Sequence, residues 1–418
     1  MKIERTLPPA AAPLKMTDIV NSLRGLLKPE QCRQDIKKEL KDYFNVKHVF
    51  LVSSGKAALT MILLALKALS PTKRRVVIPA YTCFSVPSAI VKAGLDVALC
   101  DVESVHFDYD YQCMRDAVDK DTLCVISGNL FGIPSDVEKI IEICRERGAY
   151  VVEDAAQAMG CTYHERLIGT IADVGFYSLG RGKNITCGAG GIIVTNSDGI
   201  ASAIDKIYGQ IEEPRFIEDI AEFVKAIFMF LFIHPSLYWF PAGLPFLKLG
   251  ETVFYRDFPV KRLSGMKAAM LRNWQRRLEE YNRTRTMNAE YYSNALERCG
   301  VTHLKLQRGM TAAKASLRFP ILAGDRETRD NIISCPTGRG LGISRMYPTP
   351  INMINEIKES FTGMTYPGAA AMADCLFTVP IHPLLRAKDR KKTSNLLCKL
   401  VTATVYQNGK SQRSVPID

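Results

Sequence analysis

The 12 cysteines of this 418-residue chain include no CxxC pair and no zinc-ribbon spacing, so neither a disulfide scaffold nor a structural metal is expected, and a reducing cytoplasm fits. The six histidines are scattered. Long greasy runs are also missing: the longest uninterrupted apolar stretch, 226–233, has eight residues, against the roughly 20 needed to cross a bilayer. The N-terminus, MKIERTLPPAAAPLKM, has no apolar h-region, so no secretory signal is expected. Two phosphate signatures fail as well. A Walker loop would need glycine where Phe50 stands and Ser or Thr where Ala57 stands. A dinucleotide fingerprint would need a third glycine where Gly180-x-Gly182 is followed by Ile185.

With 47% hydrophobic and 23% charged residues, the chain can bury a large core. Its length implies two domains, which the change of texture places at 1–258 and 259–418. The 55 basic against 43 acidic residues give +12, a charge that attracts nucleic acid, anionic lipid or phosphorylated substrates without choosing among them.

From 46 to 195, short β-branched runs alternate with helical patterns, which predicts an α/β fold with a mostly parallel sheet between helices. The expected strands are 76–78, 96–99, 123–126, 149–152 and 191–195, each bounded by Gly, Pro or Asp. Residues 135–147 read as a cover helix with Val137, Ile140, Ile141 and Cys144 on one face, a Ser135/Glu138 capping box and Gly148 as its stop. Residues 56–69 are apolar almost all round, as in a helix buried between layers. Beyond 261 the pattern turns to one long charged helix, 266–297, then an α+β mixture with short strands at 317–322 and 376–379. The Pro/Ala-rich tip, 7–13, reads as a mobile arm.

One constellation carries chemistry. Ser53-Ser54-Gly55 precedes the buried helix, so its free N–H groups and the helix dipole favour an anion. Val151-Val152-Glu153-Asp154 ends a buried strand, putting Asp154 at the sheet edge where ligands sit, as partner for a cationic ring nitrogen. Ser178 to Asn184 then sets a hydroxyl and Lys183 in a glycine-loosened loop. A lysine amine among apolar walls and cations loses proton affinity and forms a Schiff base with aldehydes. Pyridoxal phosphate needs such a lysine, an anion cup and a carboxylate on its ring nitrogen.

The EDAAQA stretch at 153–158 and the S-x-x-x-G-K-N pattern at 178–184, within 46–200, resemble the DegT-type aminotransferases; 262–292 and 319–383 do so more weakly. Those are fold-type I pyridoxal-phosphate enzymes best known for aminating nucleotide-linked keto-sugars. The resemblance implies that Lys183 bonds the cofactor and shuttles the proton, and that Asp154 pairs with the pyridine nitrogen. It further implies Gln157 near the ring hydroxyl, with Ser178 and the backbone of Gly55 and Lys56 on the phosphate. The family's ring-stacking aromatic falls in 79–85, where Cys83 is the aligned residue and neighbouring Phe84 the candidate. Implied partners are an amino donor such as glutamate, a keto acceptor and a second copy of the chain, with no nucleic acid.

The chain also departs from that family. Val260 stands where a partner-subunit asparagine is expected, Gly188-Ala189-Gly190 replaces a Gly-Asp-Gly turn, and the histidine expected after Tyr347-Pro348 is missing. The segment 223–249 is rich in aromatics and broken by Pro235, Pro241 and Pro245. It suits a membrane-surface anchor, an entrance for a lipid-linked keto substrate, a dimer interface or extra core. Two rival readings are a deoxygenating relative, which would carry histidine in place of Lys183, and a non-catalytic scaffold. His382, in Val379-Pro380-Ile381-His382-Pro383, is expected to be structural.

Overall fold

The computed structural model describes residues 4–411 apart from 105, 248, 251 and 300–315. The β-branched runs of the first half become seven strands of one sheet: β1 His48–Val52, β2 Arg75–Pro79, β3 Asp96–Cys100, β4 Thr122–Gly128, β5 Tyr150–Asp154, β6 Val174–Ser178 and β7 Gly191–Thr195. Their order is β1-β7-β6-β5-β4-β2-β3. Only β7 runs against its neighbours; β6/β5, β5/β4, β4/β2 and β2/β3 are parallel. The sheet is therefore the expected mostly parallel one, and the C-terminal ends of β1, β2, β4, β5 and β6 share an edge.

Helices α1 (Met16–Leu27) and α2 (Pro29–Phe44) lead into β1. After it, α3 (Gly55–Leu69) is capped by Ser54, whose hydroxyl accepts from the Ala57 N–H at 3.1 Å. Nine of its residues are buried, including Met61, Ile62 and Leu63, so it lies inside a layer as its all-round apolar sequence predicts. Each such large side chain contributes about 1.5–3 kcal/mol of burial. Helix α4 (Ser85–Lys92) follows β2.

The cover helix is shorter than its sequence suggests. α5 runs Val137–Arg145, and its cap is Asp136, accepting from the Lys139 N–H, not Ser135. The Ser135 hydroxyl instead donates to the Gly128 carbonyl at 2.8 Å, tying the loop to the end of β4. Past β7 come α6 (Asp198–Tyr208) and α7 (Phe216–Phe232). The long charged helix is two pieces, α8 (Gly265–Met270) and α9 (Trp274–Arg298), because Asn273 takes a left-handed φ of 61° between them. Strands β8 (Phe319–Leu322) and β9 (Leu376–Val379) pair antiparallel, and helix α10 (Ala387–Ser411) closes the described chain. A core of Tyr292, Leu296, Phe319, Ile321, Phe377 and Val379 joins these elements, and Leu7 enters it.

Two expectations are overturned. The segment 7–13 is not a mobile arm: Leu7, Ala11 and Ala12 are buried, and the Leu7 N–H donates to the Gly340 carbonyl. Local composition suggested mobility, but the arm's carbonyls are satisfied by groups far along the chain. Tyr281 donates to the Pro13 carbonyl at 2.7 Å and Arg285 to the Ala11 carbonyl at 3.2 Å. The cysteines, too, include one disulfide, Cys299–Cys398, which links the end of α9 to α10 across 99 residues. Helix packing, invisible in local spacing, brings that pair together, while the other ten cysteines are free thiols.

The aromatic segment is a surface structure more than extra core. In α7 only Ala226 is buried, while Phe216 and Phe228 stay 69% and 56% exposed, and Phe246, beyond the helix, is 75% exposed. Among the described residues no helix is long and apolar enough to cross a membrane.

Candidate active site

Alternation along a strand decides which acid serves the edge. On β5, Glu153 is buried and accepts three N–H groups, from Gly169, Ile171 and Ala172 at 2.6–2.7 Å, so it holds a loop in place. Asp154 comes next and lines the cavity at the sheet edge. One of its oxygens accepts from the Ala156 N–H at 2.9 Å. Register sets Asp154 beside Gly128 of β4 and Phe176 of β6.

The cavity, of about 180 Å³, is lined by Ser54, Gly55 and Lys56 from the start of α3, Cys83, Asp154, Gln157, Ser178, Lys183 and Tyr347, among others. Residues distant in sequence are thus brought onto one small volume. Burial of the Lys183 amine pushes its pKa down, against the attraction of Cys83 and Asp154. Burial pushes the Asp154 carboxyl up, opposed by the Ala156 N–H and by Lys183. Charge on either group favours charge on the other.

The α3 N-terminus reaches this volume through close backbone packing. A Cβ on Gly191, the first residue of β7, would stand 2.3 Å from the Ser54 carbonyl oxygen, so glycine is required there. A Cβ on Gly55 would come within 3.2 Å of the Ser178 hydroxyl, so the bare backbone N–H groups and this hydroxyl form one cup. Beneath the lysine, fully buried Arg285 of α9 donates to the carbonyls of Lys183 at 3.2 Å and Asn184 at 3.0 Å. Nothing in the charged repeat of α9 singled out Arg285, because its role depends on how α9 lies across the loop after β6.

Gln157 lines the cavity with both polar ends engaged. Its carbonyl accepts from the Phe131 N–H at 3.1 Å, and its amide donates to the Tyr347 hydroxyl at 2.9 Å. Tyr347 and Asn129, whose amide donates to the Asp154 carbonyl at 3.0 Å, went unnoticed as site residues in the sequence. Phe84 is a correction: it does not line the cavity. It sits at the start of α4 with αR backbone and a ring packed in the main core, while Cys83 occupies that wall. The Lys56 amine lies 4.5 Å from the ring centres of both Tyr255 and Phe258, a cation held by aromatic faces. His382 is fully buried at the opposite end of the arm contact, its Nε2 2.9 Å from the Pro8 carbonyl.

These residues fit pyridoxal phosphate: an amine and a carboxylate flank one small buried volume, and a glycine-lined helix start with a hydroxyl closes it.

Curated relatives include GDP-perosamine synthase of Vibrio cholerae, 32% identical over 161 residues, which are 38% of this chain and 43% of that protein. A transaminase of Streptomyces venezuelae, named for dTDP-3-amino-3,4,6-trideoxy-alpha-D-glucose, is 26% identical over 369 residues, covering 88% and 86%. The chain therefore spans less than half the length of some of the curated relatives it matches. Among solved structures, an aminotransferase of Helicobacter pylori involved in pseudoaminic acid biosynthesis superposes with a TM-score of 0.75 at 15% identity, covering 96% of this chain and all of that one. A putative sugar aminotransferase of Streptococcus pneumoniae gives 0.74 at 18% identity, covering 96% and 99%. At such identities the likeness speaks to the fold, which is that of fold-type I sugar aminotransferases. The family model described as the DegT/DnrJ/EryC1/StrS aminotransferase family matches 17–217 and 259–397 and leaves the aromatic segment between them unmatched. With most of its length matched in this way, the chain belongs to the DegT/DnrJ/EryC1/StrS aminotransferase family.

Proposed function

We propose that this protein is a pyridoxal-phosphate-dependent aminotransferase that moves an amino group from an amino acid, glutamate by family resemblance, to the keto group of a nucleotide-linked sugar. The observation that carries the reading is the convergence of Lys183, Asp154, Ser178 and the α3 N-terminus on one cavity. Relatives named for GDP- and dTDP-linked amino sugars support the substrate class.

When bound, the cofactor supplies an aldehyde for the amine and a ring that accepts electrons from the substrate carbon. The backbone at Gly55 and Lys56 and the Ser178 hydroxyl hold its phosphate. The Asp154 carboxylate keeps the proton on the ring nitrogen. Lys183 Nζ, its pKa pushed down by burial, takes the proton from the donor carbon and delivers it again, reversing direction for the acceptor. Gln157, fixed by Phe131 and Tyr347, closes one wall and excludes water. The working unit is a homodimer.

A second reading changes the acceptor. An apolar cavity of about 650 Å³, lined by Phe228, Met229, Phe232, Tyr238 and Phe240, abuts Arg181 and Gly188-Ala189 of the Lys183 loop. It favours a hydrophobic or lipid-linked keto substrate, taken up by peripheral membrane contact through 223–249.

The purified protein should turn yellow with pyridoxal phosphate, and borohydride should bleach it and leave the cofactor's mass on Lys183. Lys183→Ala should trap nothing. A protein that stays colourless and unlabelled rejects the reading. Offering the amine-loaded protein keto-sugar nucleotides and lipid-linked ketones separately then decides between the two acceptors.

A further inference from the structure

Arg318, just ahead of β8, is a cation without a counter-ion among the described residues. Its Nη1 donates to the hydroxyls of Ser344 at 3.2 Å and Thr378 at 3.4 Å. Its Nε is buried and has no hydrogen-bond partner among the described residues. Among the described residues no carboxylate lies within ion-pair distance of it. Arg345, the other guanidinium on the same cavity, pairs with Asp330 at 3.1 Å. Removing a guanidinium from water against neutral hydroxyls is unfavourable until an anion joins it.

The cavity that Arg318 lines holds about 360 Å³ and approaches the Lys183 cavity at two places. Met346 and Pro348 line the first and Tyr347, between them, lines the second. Thr252 of the first stands 3.8 Å from Cys83 of the second. Ser344 and Thr378, themselves paired in an isolated antiparallel bridge, fix one edge of the guanidinium fork and leave the rest to a ligand. Two parallel N–H donors in that plane match a carboxylate or a phosphate.

We propose that Arg318 anchors the oxyanion of a substrate, a carboxylate or a phosphate, in the cavity beside Lys183. This deepens the aminotransferase reading and rests on it for the word substrate, although the anion site itself does not require catalysis. A donor carboxylate and an acceptor diphosphate are the two sources of such an oxyanion.

Calorimetric titration of the protein saturated with pyridoxal phosphate, using glutarate and, separately, inorganic pyrophosphate, tests the proposal and separates those sources. We expect one of the two to bind, Arg318→Gln to weaken it at least tenfold, and Arg318→Lys, which keeps the charge and loses the fork, to weaken it several-fold. Glutarate binding assigns the site to the donor, pyrophosphate binding to the acceptor. Should Arg318→Gln melt early, Ser344→Ala combined with Thr378→Val keeps the cation but frees its orientation, and must also weaken binding. Absence of binding by either anion, or affinities indifferent to these variants, overturns the proposal. Anion binding lost with Arg318 in a protein that never traps cofactor would leave this site standing and remove only the transaminase reading.

Discussion

His382 ties the N-terminal arm to the segment that follows β9, through a ring that must stay neutral. Nδ1 accepts from the Leu384 N–H at 3.2 Å, so the ring proton sits on Nε2 and donates to the Pro8 carbonyl at 2.9 Å. Protonation would turn Nδ1 into a donor facing a donor. Burial, together with the nearby cations Arg285 and Arg318, pushes the pKa down to about 3 from 6.5. The folded value lies below the unfolded one, so the unfolded chain binds a proton that the native chain refuses between those limits. Stability is intact above pH 6.5 and falls as pH drops toward 3. At pH 4.5 the loss relative to pH 7 is about 2.5 kcal/mol, at roughly 1.4 kcal/mol per unit. Urea unfolding of wild type and His382→Gln at both pH values measures it. The amide keeps a donor for Pro8 and cannot titrate, so the wild type should lose about 2.5 kcal/mol more than the variant on acidification. Equal losses would refute both the neutral tautomer and the arm contact built on it. Because Gly182, next to Lys183, packs against Ala10, cofactor release should accompany the acid loosening of the arm.

Replacing Arg285 by Met leaves the carbonyls of Ala11, Lys183 and Asn184 without their donor. We expect about 2–4 kcal/mol of destabilisation by thermal melting and slower borohydride trapping at Lys183; normal values for both would show that the loop holds itself. Gly191→Ala drives a methyl into the Ser54 carbonyl and should cost about 1–3 kcal/mol while weakening cofactor affinity in an equilibrium titration. Gly324→Ala, with open space around the added carbon, serves as its control and should change stability by less than about 0.5 kcal/mol.

The lining of the candidate site was legible wherever a short motif carried it. Asp154 ends a buried strand, Ser54 caps an apolar helix and Lys183 sits among glycines, and each of these is a local property that sequence spacing reveals. Less visible was anything requiring two distant segments to meet. Arg285 resembles its charged neighbours until α9 is laid across the loop after β6. Tyr347 gains its place only by reaching Gln157, 190 residues away. Neighbouring residues at a helix start point in different directions, which packs Phe84 into the core and leaves Cys83 on the cavity wall.

By itself the sequence determined the alternation of strands and helices, the capped apolar helix after β1, and the placing of Asp154 at a strand end and Lys183 in a glycine-bounded loop, since propensity, capping and burial pattern act over a few residues. Tertiary structure alone decided that the N-terminal arm is pinned, that Cys299 meets Cys398, that the aromatic segment wraps an open cavity, and that Arg318 has no counter-ion among the described residues. These outcomes depend on which groups happen to satisfy or desert one another across the fold, and hydrogen bonding and desolvation are settled only when the distant partners are in place.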